Sequence, residues 1–499
     1  MPARDAYENP LVTRYASEQM AALFSPRHRV RTWRRLWVML AEAQRALGLP
    51  ISAAQVQDLK RHVEPINWAA ARRREREVRH DVMAHVHAFG LQAKKAAGII
   101  HLGATSCFVT DNADLMILRD ALEMTAAKTA AVVARLGDVA RRHRGLPILG
   151  LTHLQPAQPT TLGKRASLWA QDFLLDLREL ETRLERLPAR GVKGTTGTQA
   201  SFLALFDGDA RKVDRLERMV TRKMGFARAV PVSGQTYTRK LDSQMLAALA
   251  GLAESAHKFA TDLRLLAHRR EVEEPFGKAQ IGSSAMAYKR NPMRSERICA
   301  LSRFLATLPA NAYMTHATQW MERTLDDSAN RRIVLPQAFL CADAVLELCA
   351  DVAGGLTVHP KVIARNLAAE LPFLATEDLL MAAVRAGGDR QQLHERIRRH
   401  ARAAGERVRQ GQDNDLLDRL RGPGLRRGGR RARRAPGPGP VHRPRARAGG
   451  PVPARRGRPG APPLRAPRAS GGCGRARVGG RSLGFARALH VQAQLAVAG

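Results

Sequence analysis

The chain has 499 residues, of which 44% are hydrophobic, so it can bury a large core and form two or three domains. Its formal net charge of +37 would by itself suggest a nucleic-acid or anionic-surface partner. The N-terminus has no apolar signal segment and no apolar run looks long enough for a bilayer, so we expect a cytoplasmic protein without membrane contact.

Residues 1–112 predict an N-terminal helical domain. Ser25-Pro26 is typical of a helix start, and Val30, Trp33 and Trp37 follow it at helical spacing. The polar residues within this region, from Arg14-Tyr15 onward, are candidates for ligand contact, and their alternative role is an ordinary solvated surface.

No metal or cofactor is expected. His80, His85 and His87 fall within one short segment, but a metal site requires a cleaner ligand spacing, and packed or surface histidines are the simpler interpretation. The five cysteines form no CxxC pair and no metal-ligand pattern, which indicates reduced thiols.

Residues 113–358 predict a central domain of long helices. Apolar residues step by threes and fours from Leu162 to Leu187, and again from Leu241 to Leu266, for about seven turns each. Stripes of this length suit a helix bundle and often contact partner subunits as well. There is no βαβ alternation, and GTTGTQ (Gly194 to Gln199) lacks the Gly-Lys-Ser/Thr of a P-loop. We therefore predict an all-α fold.

The segment from Gln280 to Arg297, QIGSSAMAYKRNPMRSER, interrupts these helical patterns. It combines a Gly-Ser-Ser turn, a Lys-Arg pair and Asn291-Pro292, which predicts a helix start with proline at the first helical position. Backbone donors, a hydroxyl, an amine and a helix N-terminus together suit a small, multiply charged anion. The alternative is a solvated surface loop.

A second anion site is indicated between Glu322 and Arg332. If a helix begins at Asp326 or Asp327, Ser328 and Arg332 are four residues apart and share one face, where a hydroxyl and a guanidinium suit a phosphate. The alternative is a charged helix start in which arginine pairs with aspartate. His153 and Gln235 lie in polar connections between helices, where a lone polar residue is often only a hydrogen-bonded bystander.

Residues 359–420 predict a third, incomplete helical domain, and residues 421–499 have a different composition. From Arg421 onward there is no Asp, Glu or Lys, while arginine recurs among Gly, Pro and Ala, so about half of the net charge lies there. Such a composition predicts a disordered basic tail. An out-of-frame translation of a GC-rich gene would give the same composition, as an alternative to a genuine tail that binds nucleic acid.

The segment GSSAMAYKRNP resembles the signature loop of the fumarase/aspartase superfamily, and the MRSER that follows is similar to its adenylosuccinate lyase family. Six further segments resemble that family in its order, from about Asn9 to about Asp418: RHDVMAHVH, HLGATS, THLQPAQ, KGTTGTQASF, SGQTYTRK and ERTLDDSANRRI. One position departs from the pattern, since the family's loop proline is Ala287 here. Without a fixed φ, ordering this loop over substrate is expected to cost more free energy.

The resemblance implies a three-domain fumarase/aspartase-like fold and a homotetramer whose active sites are shared between subunits. It implies β-elimination of fumarate from adenylosuccinate, giving AMP, and from succinylaminoimidazole-carboxamide ribotide (SAICAR), giving AICAR, in purine nucleotide biosynthesis. Ser283 would be the base, activated by Lys289 and by backbone amides, and His153 would be the acid. Lys289 and Asn291 would hold the succinyl carboxylates, and Glu296 would orient His153 or Lys289.

The same resemblance implies the substrate contacts. They are Arg14, Tyr15, Arg79, His80, Asp81, Thr105, Ser106, Thr152, Gln235, Asn291, Arg297, Arg323, Ser328 and Arg332.

Two alternatives stay open at the level of sequence. The first is another lyase of the superfamily, acting on argininosuccinate or malate, although the phosphate-suited residues around Ser328 argue against it. The second is an inactive paralogue whose basic tail binds nucleic acid. Because much of the positive charge is confined to that tail, we do not expect a nucleic-acid partner for the folded part.

Overall fold

A computed structural model describes residues 6–421. The predicted tail from 421 onward therefore lies outside the described residues, except for Arg421. The helices of the described chain are a π-helix (Leu11–Tyr15), a 3-10 helix (Lys94–Ile99), α1 (Glu18–Leu23), α2 (Pro26–Ala46), α3 (Ala53–Arg61), α4 (Trp68–Val78), α5 (Asp81–Gln92), α6 (Ser106–Arg142), α7 (Leu162–Arg186), α8 (Ala200–Leu205), α9 (Ala210–Lys223), α10 (Lys240–His268), α11 (Met293–Thr307), α12 (Pro309–Ala317), α13 (Asp326–Gly354), α14 (Pro360–Leu374), α15 (Thr376–Arg385), α16 (Arg390–Arg409) and α17 (Leu416–Leu420).

The strands form two short antiparallel ladders. They are β1 (Pro147–Thr152) paired with β2 (Gln155–Thr161), and β3 (Val272–Glu273) paired with β4 (Thr357–Val358). The prediction of an all-α fold is confirmed, because helices dominate and the strands serve only as connections.

The described chain divides into two compact units. The first comprises residues 6–144 and 163–359, and the second comprises residues 145–162 and 360–421. The boundaries of the three domains expected from the sequence remain a prediction.

The first unit is built around the long helices α6, α10 and α13, with α7 and α11 beside them. The two apolar stripes predicted from the sequence lie on α7 and α10, where Trp169, Phe173 and Phe259 are buried and meet edge to face at 5.3 and 6.2 Å between ring centroids. Asp262 accepts the indole N–H of Trp169 at 2.7 Å, which leaves that buried donor satisfied.

Local sequence signals account for several helix starts. The Ser25 hydroxyl accepts a hydrogen bond from the His28 backbone N–H at 3.2 Å, and Pro26 opens α2, as predicted. The expectation for Asn291-Pro292 was wrong by one position, because Pro292 is the N-cap and α11 begins at Met293. The helix expected at Asp326 or Asp327 begins at Asp326.

The expectation that no apolar run is long enough to span a bilayer also needs correction. Helix α13 passes that test by length and composition, but 67% of its most apolar window is buried inside the protein. Its apolar residues pack against α6, α10 and α11, so its composition is that of a core helix.

The second unit combines the β1–β2 hairpin with α14 to α17. A small core of Leu380, Ile397, Ala404, Leu416 and Leu420 joins its helices, and α14 packs against both strands. The hairpin replaces the irregular connection expected around Thr152, and its ladder is interrupted between Leu149 and Leu151.

We predict that Phe259→Ala lowers the free energy of unfolding by about 3–5 kcal/mol, because it opens a cavity between two buried aromatic rings. The adjacent Lys258→Ala, whose side chain is 49% exposed, should change stability by less than about 1 kcal/mol. Chemical unfolding of both variants measures this difference. Equal losses would mean that the α7–α10 contact does not stabilise the bundle.

Candidate active site

The first unit contains a cavity of about 810 Å³ bordered by the starts of three helices. Its walls come from α2, from the junction of α4 and α5, from the first turns of α6 and α13, and from the loop around Gln235. Eight of the residues predicted to bind substrate line it: Arg79, His80, Asp81, Ser106, Gln235, Arg323, Ser328 and Arg332.

Helix starts are directed to this cavity by local backbone geometry. Arg79 has a left-handed conformation (φ 50°) at the C-cap of α4, and His80 immediately caps α5 through Nδ1, which accepts the Met83 N–H at 3.4 Å. Thr105, the N-cap of α6, makes no side-chain cap and instead accepts a hydrogen bond from Gln235 Nε2 at 3.0 Å.

Neither α6 nor α13 has a side-chain cap at its N-terminus. Uncapped N-terminal amides carry partial positive charge, and the same cavity is lined by the cations Arg29, Arg79, Arg323 and Arg332. The cavity is therefore electrostatically suited to an anion.

Two of the predicted phosphate-binding arginines have protein partners in the described chain. Arg332 donates to Asp81 Oδ2 at 2.8 Å; burial alone would raise the pKa of Asp81, but this guanidinium lowers it below its usual value. Arg323 contacts the Cys107 thiol at 2.7 Å. Burial raises the pKa of Cys107 to about 11, which keeps this thiol neutral and unreactive.

A buried network of charges forms part of the cavity wall. Arg239 donates to both carboxylate oxygens of Asp111 at 3.2 Å and to Asp327 at 2.7 Å, and all three side chains are at most 3% exposed. Arg331 donates to Asp242 at 2.7 Å and to the Tyr237 hydroxyl at 2.6 Å. Such pairs tolerate burial only because their hydrogen bonds are made.

The start of α13 connects this network with the cavity. All four residues at positions 327, 328, 331 and 332 border the cavity. Asp327 and Arg331 are buried and join the network, whereas Ser328 is half-buried and Arg332 is exposed. One helical turn thus presents two i, i+4 pairs, and the buried pair fixes the orientation of the other.

The Gly-Ser-Ser loop is closed at its neck. Asn291 Nδ2 donates to the Gly282 carbonyl at 2.8 Å, and a Cβ at position 282 would lie 2.0 Å from the Lys289 carbonyl oxygen, so only glycine fits. Inside the loop, the Ser283 hydroxyl accepts the N–H groups of Ala285 and Met286 at 3.3 and 3.2 Å.

The other residues predicted near this loop do not line the cavity of the described chain. Lys289, Glu296, Arg297 and Arg14 are exposed. Arg297 lies over the ring of Tyr15, with its guanidinium carbon 5.6 Å from the ring centroid, so these two predicted contacts meet each other.

Thr152 and His153 lie in the second unit, at the tip of the β1–β2 hairpin. His153 and Leu154 form a two-residue turn with φ of 53° and 54°, the conformation of a type I′ turn. Such turns favour Asn and Gly, so an exposed His-Leu pair stores backbone strain.

Comparison with known proteins agrees with these geometric features. A family profile described as "Lyase" matches residues 51–303, and one described as "Adenylosuccinate lyase C-terminus" matches residues 372–424. The chain is 54% identical over 425 residues to the adenylosuccinate lyase of Saccharomyces cerevisiae, covering 84% of this chain and 88% of that protein. The chain belongs to the adenylosuccinate lyase family.

Further comparisons support this placement in the fumarase/aspartase superfamily. The adenylosuccinate lyase of Schizosaccharomyces pombe is 52% identical, covering 83% of this chain and 87% of that protein. A crystal structure of a fumarate lyase from Mesorhizobium sp. BNC1 superposes with a TM-score of 0.72 at 24% identity, covering 85% and 92% of the two chains. At this level of identity, the likeness to the fumarate lyase structure shows the fold alone.

Several residues that hold the cavity wall in place were not predicted from the sequence. The sequence did not indicate four residues of the buried network, Asp111, Tyr237, Arg239 and Asp242. Their partners lie 88 to 128 positions away in the chain. The exception is the hydrogen bond between Tyr237 and Asp242, which are five positions apart. Glu274 was also missed. Its carboxylate accepts the backbone N–H groups of Arg294 and Ser295 at 2.9 and 2.8 Å and so caps α11.

We predict that Asp111 makes stability depend on acid pH. Burial alone would raise the pKa of Asp111, but the guanidinium groups of Arg239 and Arg331 hold this pKa below its usual value. A depressed carboxyl pKa contributes stability that is complete above about pH 4 and is lost as the pH falls through the folded-state pKa.

Asp111→Asn tests this prediction. At neutral pH the free energy of unfolding of the variant should be about 3 kcal/mol lower than that of the wild type, because Arg239 loses a buried partner. Its difference from wild type should shrink as the pH falls below about 4. Asp326→Asn, at an exposed position of α13, is the control. A difference independent of pH would contradict the electrostatic origin.

Proposed function

We propose that the protein cleaves adenylosuccinate to AMP and fumarate, and SAICAR to AICAR and fumarate. The observation that carries this proposal is the N-terminus of α13, where Arg323, Ser328 and Arg332 border a cavity of about 810 Å³. A guanidinium pair, a hydroxyl and a helix N-terminus are a phosphate site, and both substrates are phosphorylated succinyl compounds. Argininosuccinate and malate carry no phosphate.

Substrate binding would exchange one anion for another at Arg332. In the described chain the Asp81 carboxylate pairs with the Arg332 guanidinium at 2.8 Å. A nucleotide phosphate offers more charge and more acceptors than one carboxylate, so it would displace Asp81 from Arg332. The released carboxylate would then be able to accept hydrogen bonds from the ribose hydroxyls of the same nucleotide.

Ser283 is the proposed base, and it would remove a proton from the carbon beside a succinyl carboxylate. Two backbone N–H groups already point at its oxygen, those of Ala285 and Met286. A serine hydroxyl is a weak base and acts only once it is deprotonated. Hydrogen bonds donated to its oxygen stabilise this deprotonated form. Lys289 and Asn291 would hold the carboxylates, where negative charge accumulates after proton removal. Glu296 would orient His153 or Lys289.

His153 is the proposed acid. When the C–N bond breaks, the bonding electrons move to the nucleotide nitrogen, and His153 would supply the proton that this nitrogen accepts. The electron pair left on the deprotonated carbon forms the double bond of fumarate. Imidazole is the side chain that most often serves as a general acid in enzymes, and it therefore suits this step. Its position at the tip of a hairpin would let it enter a site formed with another subunit.

We further propose a cytoplasmic homotetramer whose active sites combine residues from different subunits. The cavity, the Ser283 loop and the His153 hairpin are three separate groups of predicted residues in the described chain. Exposed apolar side chains near them support burial against other copies, including Val232, Ile281, Tyr288 and Trp320, which are 68% to 85% exposed. Arg14, Tyr15, Thr105, Thr152 and Arg297 would complete the nucleotide contacts.

A fumarate-release assay with purified protein tests the function. We predict turnover of adenylosuccinate and SAICAR, and none of argininosuccinate or malate, because only the first two carry a phosphate. Absorbance at the purine or imidazole band measures the reaction directly. Turnover of argininosuccinate without turnover of adenylosuccinate would contradict the proposal.

The same fumarate-release assay tests the roles of Ser283 and His153 with three variants. Ser283→Ala and His153→Ala should each lower kcat by at least about 10³-fold while the unfolding temperature changes little, because both side chains act in the reaction. Ser284→Ala, at the exposed neighbouring position, should keep activity within a few fold. Near-normal turnover in either of the first two would refute the role of that residue.

A further inference from the structure

A buried ion pair fixes the chain just after the predicted nucleotide contacts Arg14 and Tyr15. Asp343, on α13, is completely buried, and its Oδ2 accepts the backbone N–H of Ser17 at 2.7 Å. Its Oδ1 accepts Lys128 Nζ, from α6, at 2.5 Å. Lys128 also donates to the Ser17 hydroxyl at 3.2 Å and lies 2.6 Å from Glu347.

This arrangement is more specific than general packing requires. A buried carboxylate is costly unless its hydrogen bonds are made, and here one oxygen is devoted to a single backbone N–H. Ser17 is the N-cap of α1, and its hydroxyl accepts the Met20 N–H at 3.3 Å. The start of α1 is thus attached to the two long helices whose N-termini border the cavity.

A short segment with a constrained backbone connects Ser17 to the two predicted nucleotide contacts, Arg14 and Tyr15. The π-helix Leu11–Tyr15 ends two positions before Ser17, and the Ala16 N–H returns to the Leu11 carbonyl at 2.8 Å. Tyr15 then lies beneath the Arg297 guanidinium. A displacement of Ser17 would therefore move Arg14 and Tyr15 directly, and Arg297 through the Tyr15 ring.

We propose that Asp343, together with Lys128, is a positioning residue for nucleotide binding. It touches no substrate, and it holds Arg14 and Tyr15 at a fixed place relative to α6 and α13. This inference rests on the proposed function, because it assigns these two residues to the nucleotide.

Asp343→Asn tests the proposal in the full-length protein. The amide keeps the shape of the carboxylate but loses its charge, so the Lys128 contact weakens and Ser17 is held less firmly. We expect KM for adenylosuccinate to rise about tenfold while kcat changes less than about threefold. The inhibition constant of AMP should rise in parallel, whereas that of fumarate should not change. Glu347→Gln, which removes the exposed partner of Lys128, is the control and should match wild type.

A double-mutant cycle separates positioning from a general loss of stability. If Asp343 acts through Arg14, the Arg14→Ala/Asp343→Asn protein should bind AMP about as weakly as Arg14→Ala alone. Additive losses, or a fall in kcat with unchanged KM, would overturn the proposal. If Asp343→Asn does not fold, Ser17→Ala, which removes the hydroxyl that accepts from Lys128 and caps α1, should raise KM in the same direction; an unchanged KM there would also overturn it.

The two proposals fail in different ways. Wild-type protein that releases no fumarate from adenylosuccinate would contradict the function, independently of any variant. Active wild-type protein whose Asp343→Asn variant keeps a normal KM and normal AMP inhibition would contradict the positioning role alone.

Discussion

The buried pairing of Arg239 with Asp111 and Asp327 is the constraint on which the cavity depends. This pairing joins three parts of the chain: α6, which carries Asp111; the residue just before α10, Arg239; and α13, which carries Asp327. All three side chains are almost completely buried. An isolated charge at this depth would be strongly unfavourable, so each partner makes the position of the others obligatory. The network therefore fixes the angle at which α13 begins, and with it the direction in which Ser328 and Arg332 project.

Long helices then bring distant residues together. The cavity draws on residues from α2 to α13, a span of more than 300 positions, yet its polar groups are concentrated at helix starts. This arrangement adds the fixed partial charges of backbone amides to the arginine side chains, which is a form of electrostatic preorganisation suited to an anionic substrate. By contrast, the Ser283 loop and the His153 turn are exposed. Their exposure is consistent with the proposal that other subunits complete the site.

Periodicity and short-range spacing made much of this predictable. The stripes of α7 and α10, the start of α2 and the i, i+4 pair of Ser328 and Arg332 all depend on residues within a few turns of one another. The buried network was not predictable in the same way, since Asp111 and Arg239 are 128 positions apart.

The β1–β2 hairpin was hidden for a different reason. Pro156 and Pro159 lie in its second strand, and its turn is His153-Leu154 rather than Asn-Gly, so neither strand nor turn chemistry was apparent. Motif resemblance assigned His153 to a family pattern, but it could not give the backbone that carries this residue.

The central claim is that Ser283 of one subunit works with His153 of another, and complementation between inactive variants tests it most directly. Differently tagged Ser283→Ala and His153→Ala chains are co-expressed, and hybrids are isolated by sequential affinity steps. Because random assembly leaves about a quarter of shared sites with both native residues, the hybrids should recover about a quarter of wild-type turnover. Hybrids that form but stay as inactive as either parent would contradict a shared active site.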